Sequence, residues 1–249
     1  MTKTVDIIAR ANSRDLKEYV DDNSVSLIVT SPRYNVGMPY EKITPLKEYL
    51  DELDGIWKEC WRCLKTGGRL VINVADTCRR PYIPLHCYIT MRLIRQKWYM
   101  RGIINWDKGD SCNLSTAWGS WMSPSNPYLN DQVEYIIVCS KTNTRLEGMT
   151  KPDITRDEFL KYRQNSWKMD TESAKKVGHP APFPVELPWR AVKFYTYPGD
   201  IVMDPCNGSG TTCEAAVRLG RHYLGFDICQ EYVDLANDRL AKFKRNNIF

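Results

Sequence analysis

Two hydrophobic periods alternate along this chain, and that alternation constrains its fold more than any other feature. VDIIARA, SVSLIVTSP, GGRLVINVA, MRGIINWDK, VEYIIVCSK, DIVMDP and HYLGFDI are short, apolar and rich in β-branched residues, which predicts strands. SRDLKEYV (with Ser13 as N-cap), the stretch from Leu50 to Leu64, PLHCYITMRLIRQKW, LPWRAVKFY, TTCEAAVRLG and QEYVDLANDRLAKFK carry helical spacing. Strands apolar at consecutive positions are buried on both faces, and helices between them make the crossovers of a parallel sheet. The expected fold class is therefore α/β: a mostly parallel sheet with helices on both faces. The 249 residues suit one domain, 1–249. Two polar stretches, at about 110–131 and 141–178, show no clear period and are read as irregular insertions.

Composition narrows the setting. The opening MTKTVDIIARANSRD places charges where a secretory leader needs an apolar stretch. No apolar run is long enough to cross a bilayer, so a cytoplasmic location without membrane is expected. Nine cysteines, an odd count in a mid-sized chain, argue against a disulfide framework. Cys60 and Cys63 have CxxC spacing, but a zinc site needs a second such pair, so no metal is expected. They read as thiols on an amphipathic helix that ends at a Gly cap. A net charge of +5 is compatible with a polyanionic partner without requiring one.

DIVMDPCNGSGTTCEAAVRLG reads as strand, glycine turn and helix. Gly208 and Gly210 let backbone approach a ligand, and the following helix start offers free N–H groups. A plain tight turn explains a lone GxG equally well. A dinucleotide fingerprint needs a third glycine where Cys213 stands, which weakens that alternative. Asp227 ends the next strand, about twenty residues on, where nucleotide sites place a carboxylate against ribose hydroxyls. It can instead cap the helix that follows.

TSPRYN, from Thr30 to Asn35, closes another apolar strand. Ligands of open α/β sheets bind at such carboxyl ends. The segment offers a short hydroxyl (Ser31), a backbone fixed by Pro32 and an aromatic ring (Tyr34). An exocyclic base amine is a poor nucleophile, because its lone pair is delocalised into the ring. Acceptors on its hydrogens, such as the Ser31 hydroxyl and the Pro32 carbonyl, favour a pyramidal and more nucleophilic nitrogen. Tyr34 can stack on a base drawn out of a duplex. Taken alone, the segment also fits a Ser-Pro turn with a surface tyrosine.

Together these segments resemble the amino-methyltransferases of DNA restriction-modification systems, in the group whose catalytic motif precedes the cofactor motif. TSPRYN resembles the family's TSPPYN, DPCNGSGTT its DPFxGSGTT, HPAPFPVELP (His179–Pro188) the segment before the cofactor turn, and GFDICQEYV its ribose-binding strand end. LKTGGRLVINV, TAWGSWMSPSNP and DQVEYIIVCSK resemble stretches between them, so the likeness covers nearly the whole chain. It implies a Rossmann-like methyltransferase fold that uses S-adenosyl-L-methionine, with double-stranded DNA as partner and a cognate restriction endonuclease in the same system. It implies Ser31, Pro32 and Tyr34 as the catalytic face. Asp204, Pro205, Gly208, Ser209, Gly210, Thr211 and Thr212 would surround the methionine moiety; Asp227 would hold ribose, Phe183 and Pro184 would wall the pocket, and Asn12 would lie near adenine. Arg33 departs from the family's second proline; it can loosen the turn, contact phosphate or base, or lie solvated. Cys206 replaces a common phenylalanine.

Ser at the first motif position, and the HPAPFP form, resemble the cytosine-N4 members more than the adenine-N6 ones. Cytosine-C5 chemistry needs a thiolate on an active-site loop, and the only Pro-Cys, Pro205-Cys206, lies inside the cofactor turn. The expected activity is site-specific methylation of cytosine N4 by base flipping. The alternatives are adenine-N6 methylation, an RNA or small-molecule methyltransferase, and a catalytically silent DNA-binding relative. DNA recognition is assigned to the two irregular stretches, with Trp118, Trp121, Lys161, Arg163 and Arg33 as contacts, beside the basic side chains of Lys151, Arg156, Lys168, Lys175 and Lys176. So small a recognition module suits a short site or a homodimer.

Overall fold

β2 (Val25–Thr30) is buried at all six positions, as a strand must be when both faces of its sheet are covered. The computed structural model describes residues 3–37, 43–77, 82–109, 119–148, 150–172 and 183–246. Along the chain, β1 (Ile7–Arg10) precedes β2, and α1 (Leu46–Cys63), β3 (Leu64–Val74), α2 (Leu85–Arg95), β4 (Tyr99–Asp107) and β5 (Val133–Ser140) follow it. Then come α3 (Arg156–Tyr162), β6 (Ser166–Lys168), α4 (Glu186–Tyr195), β7 (Ile201–Asp204), α5 (Thr211–Arg218), β8 (His222–Asp227) and α6 (Gln230–Asn246).

These strands form one sheet in the order β1-β8-β7-β2-β3-β5-β4-β6. Ile8 pairs with Gly225, Met203 with Leu224, Ile28 with Met203 and Thr30 with Ile72, all in parallel. β5 alone among the described strands runs the other way, antiparallel to β3 and β4. The fold is the expected α/β arrangement with a mostly parallel sheet. Leu27 and Val29 face one apolar cluster and Ile28 the other, and Val71 is likewise separated from Leu70 and Ile72. The period of two thus divides the core between the two faces. α1 buries Tyr49, Leu50, Leu53, Trp57, Cys60 and Cys63 along one stripe, so the CxxC pair is part of the core. Burial pushes the Cys63 thiol up to about 12. Among the described residues no helix is long and apolar enough to cross a membrane.

Three expectations change. α1 ends at Cys63 with Leu64 as an extended C-cap and runs directly into β3, so no glycine caps it; Gly67 and Gly68 lie within that strand. Residues 13–20 form turns, not a helix. The Leu16 N–H donates to Glu59 Oε1 at 2.8 Å, and the Ser13 hydroxyl donates to the Pro205 carbonyl, so neither group serves a helix. The stretch 141–178 is not irregular throughout: it contains α3 and β6. β6 extends the sheet beside β4, and Tyr162 and Trp167 are buried. A seven-residue helix and a three-residue strand are too short to display a period.

Candidate active site

β1, β8, β7, β2 and β3 are neighbours running in one direction, so their carboxyl ends share one edge. Asn12, Asp227, the glycine turn and Ser31–Tyr34 all leave from it. Because β5 is reversed, its amino end joins the same edge, with Glu134 facing Trp106 of β4 and Tyr135 facing Val74 of β3.

The glycine turn is held from three sides. Asp204 is fully buried; its Oδ1 accepts from the Thr30 hydroxyl (2.8 Å) and the Cys206 N–H (3.0 Å), and its Oδ2 from the Thr212 hydroxyl (2.9 Å). Burial, opposed by these bonds, pushes its carboxyl up to about 6. Pro205 is buried as well. Gly208 and Gly210 have φ of +46° and +80°, and a Cβ on Gly210 would lie 2.9 Å from that of Ala236. Arg239 of α6 donates to the Ser209 carbonyl, the Ser209 hydroxyl and Thr211 Oγ1, at 3.1–3.3 Å. Asp204, Ser209, Thr211 and Thr212 are therefore engaged inside the protein and set the shape of the turn.

Asp227 accepts the Gly208 N–H at Oδ2 and the Cys229 N–H at Oδ1, both at 2.9 Å. It steadies both the turn and the start of α6 while remaining half-buried. Asn12 is exposed one residue beyond Ala11, whose N–H meets the Asp227 carbonyl. Phe183 is half-buried against the core cluster beside α4, and Pro184 is buried. The other motif residues from His179 to Pro182 lie outside the described residues.

The TSPRYN segment turns its polar groups inward. Tyr34 Oη lies 3.0 Å from Ser31 Oγ, from Glu134 Oε2 and from Asn73 Nδ2. Asn73 also donates to Glu134 Oε2 at 2.6 Å, and Lys108 Nζ pairs with Glu134 Oε1 at 2.7 Å. Burial holds the Tyr34 phenol well above its ordinary value, and Glu134 adds to the effect. Pro32 is buried. Arg33 turns onto α1: its guanidinium meets Glu52 at 2.5 Å and lies over the Tyr49 ring, 5.3 Å from the centroid, while its carbonyl accepts from the Tyr49 hydroxyl at 2.5 Å.

Of the expected recognition residues, Arg33 and the β4–β5 loop that carries Trp121 leave from this edge. Trp118, Lys175 and Lys176 lie outside the described residues. Trp121 is 65% exposed in a loop closed by the Ser120 N–H on the Asn126 carbonyl. Lys161 and Arg163 are exposed at the end of α3, with Lys161 3.9 Å from Glu186, and they sit beside β6 at the far edge of the sheet. Sequence reasoning missed Asn73, Lys108 and Glu134. A glutamate inside the otherwise apolar VEYIIVCS was the available signal.

Residues 25–238 match the DNA methylase family of N6/N4 methyltransferases. The chain belongs to that family. Its DNA methyltransferase relatives include Type II methyltransferase M.MthZI of Methanothermobacter thermautotrophicus, 27% identical over 96% of this chain and 77% of the relative. Type II beta methyltransferase M.BslI of Bacillus sp. (strain NEB-606) is 27% identical over 93% of this chain, which spans only 27% of that longer protein. A Thermus thermophilus protein, described as a DNA modification methylase and solved with S-adenosyl-L-methionine, matches with a TM-score of 0.79. It is 30% identical, over 95% of this chain and 93% of that one. The methyltransferase uses this cofactor, and the edge suits it chemically. Asp227 has carboxylate lone pairs left for hydroxyls after its two backbone bonds, the turn is side-chain-free at Gly208, and Phe183 offers an apolar wall.

Proposed function

We propose that this methyltransferase methylates the exocyclic N4 of cytosine at a defined sequence in double-stranded DNA, acting on a base swung out of the helix. The adjacency of β7 and β2 supports methyl transfer here, because the glycine turn and Ser31 leave neighbouring strand ends; Ser31 at the first motif position supports cytosine as the target. A cofactor over the turn would then meet an amine held at Ser31. Asp227 would receive the ribose, Asn12 the adenine side, and Phe183, Pro184 and Pro205 would wall the pocket. Gly208 and Gly210 would admit the methionine end, on a turn shaped by Asp204, Ser209, Thr211 and Thr212. Bound S-adenosyl-L-methionine supplies an electrophilic methyl group on its sulfonium. The Ser31 hydroxyl and Pro32 carbonyl accept the amine hydrogens, and the Tyr34 ring stacks on the base. Exposed Trp121 is the DNA-facing candidate of the β4–β5 loop.

Incubation with labelled cofactor and mixed-sequence DNA, followed by mass spectrometry of nucleosides, tests the proposal. N4-methyldeoxycytidine is expected; N6-methyldeoxyadenosine would replace the cytosine assignment, and label in RNA alone or nowhere would overturn it. Ser31→Ala should lower kcat on the order of 100-fold while cofactor Kd changes less than twofold. Full activity in that variant removes Ser31 from the mechanism.

A further inference from the structure

We propose that Glu134, acting through the Tyr34 hydroxyl, fixes the direction of the Ser31 O–H bond, which makes both of them positioning residues for the acceptor amine. The proposal rests on the reading of Ser31 as the amine's acceptor. Tyr34 Oη has three partners at 3.0 Å but only one hydrogen to give. The Asn73 amide nitrogen can only donate, to Tyr34 and to Glu134 Oε2 at 2.6 Å. Glu134 can only accept, and its other oxygen is ion-paired with Lys108. The Tyr34 hydrogen therefore belongs to Glu134. Contact between Ser31 and Tyr34 then closes only if Ser31 donates, which points its hydrogen inward and leaves its lone pairs free on the other side. That is the polarity an amine hydrogen requires. A reversed chain would set the Ser31 hydrogen against the amine. Asn73 is 2% and Glu134 9% exposed, so water does not readily stand in for a missing partner.

Tyr34→Phe keeps the ring and removes the link. Its kcat should fall about tenfold, with KM for DNA and cofactor Kd within twofold of wild type. In Glu134→Gln a single amide oxygen cannot serve Lys108, Asn73 and Tyr34 together, and the amide N–H drives the chain backwards. Its kcat should fall further than that of Tyr34→Phe. Adding Tyr34→Phe to Glu134→Gln should bring activity back up to the Tyr34→Phe level, because no hydroxyl remains to be misdirected. A merely structural pair would lose activity additively. Full kcat in Tyr34→Phe, or additive losses, overturns the proposal. If Glu134→Gln melts early in a thermal scan, Tyr34→Phe decides alone. Ser31→Ala separates the two ideas. If it stays fully active, the reading of Ser31 fails and this proposal with it; if it is inactive while Tyr34→Phe is fully active, only the orientation idea fails.

Discussion

Arg33 and proline would stiffen the same loop by different means. Proline restricts its own φ, whereas Arg33 is gripped from outside by α1. Tyr49, the hub of that grip, is fully buried and therefore a fixed anchor for the Arg33 carbonyl and guanidinium. The ion pair with Glu52 is partly exposed and contributes at most about 1 kcal/mol by itself. Its value is positional, since Arg33 lies between Pro32 and Tyr34. Arg33→Ala should lower kcat about three- to tenfold at unchanged cofactor Kd, and Arg33→Pro should recover most of the loss. Steady-state kinetics on duplex DNA would show this. An alanine variant with wild-type kcat would mean that the loop holds its shape without the clamp.

The element that matters most is the β7–α5 turn, because it is built by close approach. Gly210 combines a left-handed backbone with the approach of α6 at Ala236. Gly210→Ala should cost about 2–3 kcal/mol in urea unfolding, from backbone strain and a crowded contact. Cofactor affinity should fall with it, as the turn moves off α6. An unchanged midpoint would show that α6 yields easily. At the same scale, α3 and β6 show that part of the polar 141–178 stretch folds onto and extends the sheet.

For the whole molecule, Asp204 ties β7 to β2 through Thr30 and to α5 through Thr212, so its ionisation bears on global stability. Its carboxyl titrates near 3.8 when unfolded and about 6 when folded. The folded state binds this proton more tightly, so the group favours folding most below pH 3.8 and loses that contribution as pH rises through 6. Relative to Asp204→Asn, wild-type stability should decline by up to about 3 kcal/mol between about pH 4 and 7, and level off above. Paired urea titrations across that range would show it, and a pH-independent difference would contradict the assigned burial.

Local sequence determined much of this protein. Strand and helix periods report which face of an element meets the core, so the mostly parallel sheet was legible, as were the strand-end placements of TSPRYN and the glycine turn. The likeness of these motifs also pointed to the family. What periods cannot carry is contact between distant segments. Glu134 meets Tyr34 across 100 positions only because β5 runs antiparallel and returns its amino end to the active edge. Leu16 leaves its predicted helix because Glu59, 43 positions away, takes its N–H. Arg33 turns onto α1 because Tyr49 and Glu52 happen to face it there. Strand order, strand direction and the pairing of buried polar groups are settled by packing the whole chain at once, and those decisions assembled the hydrogen-bond chain behind Ser31.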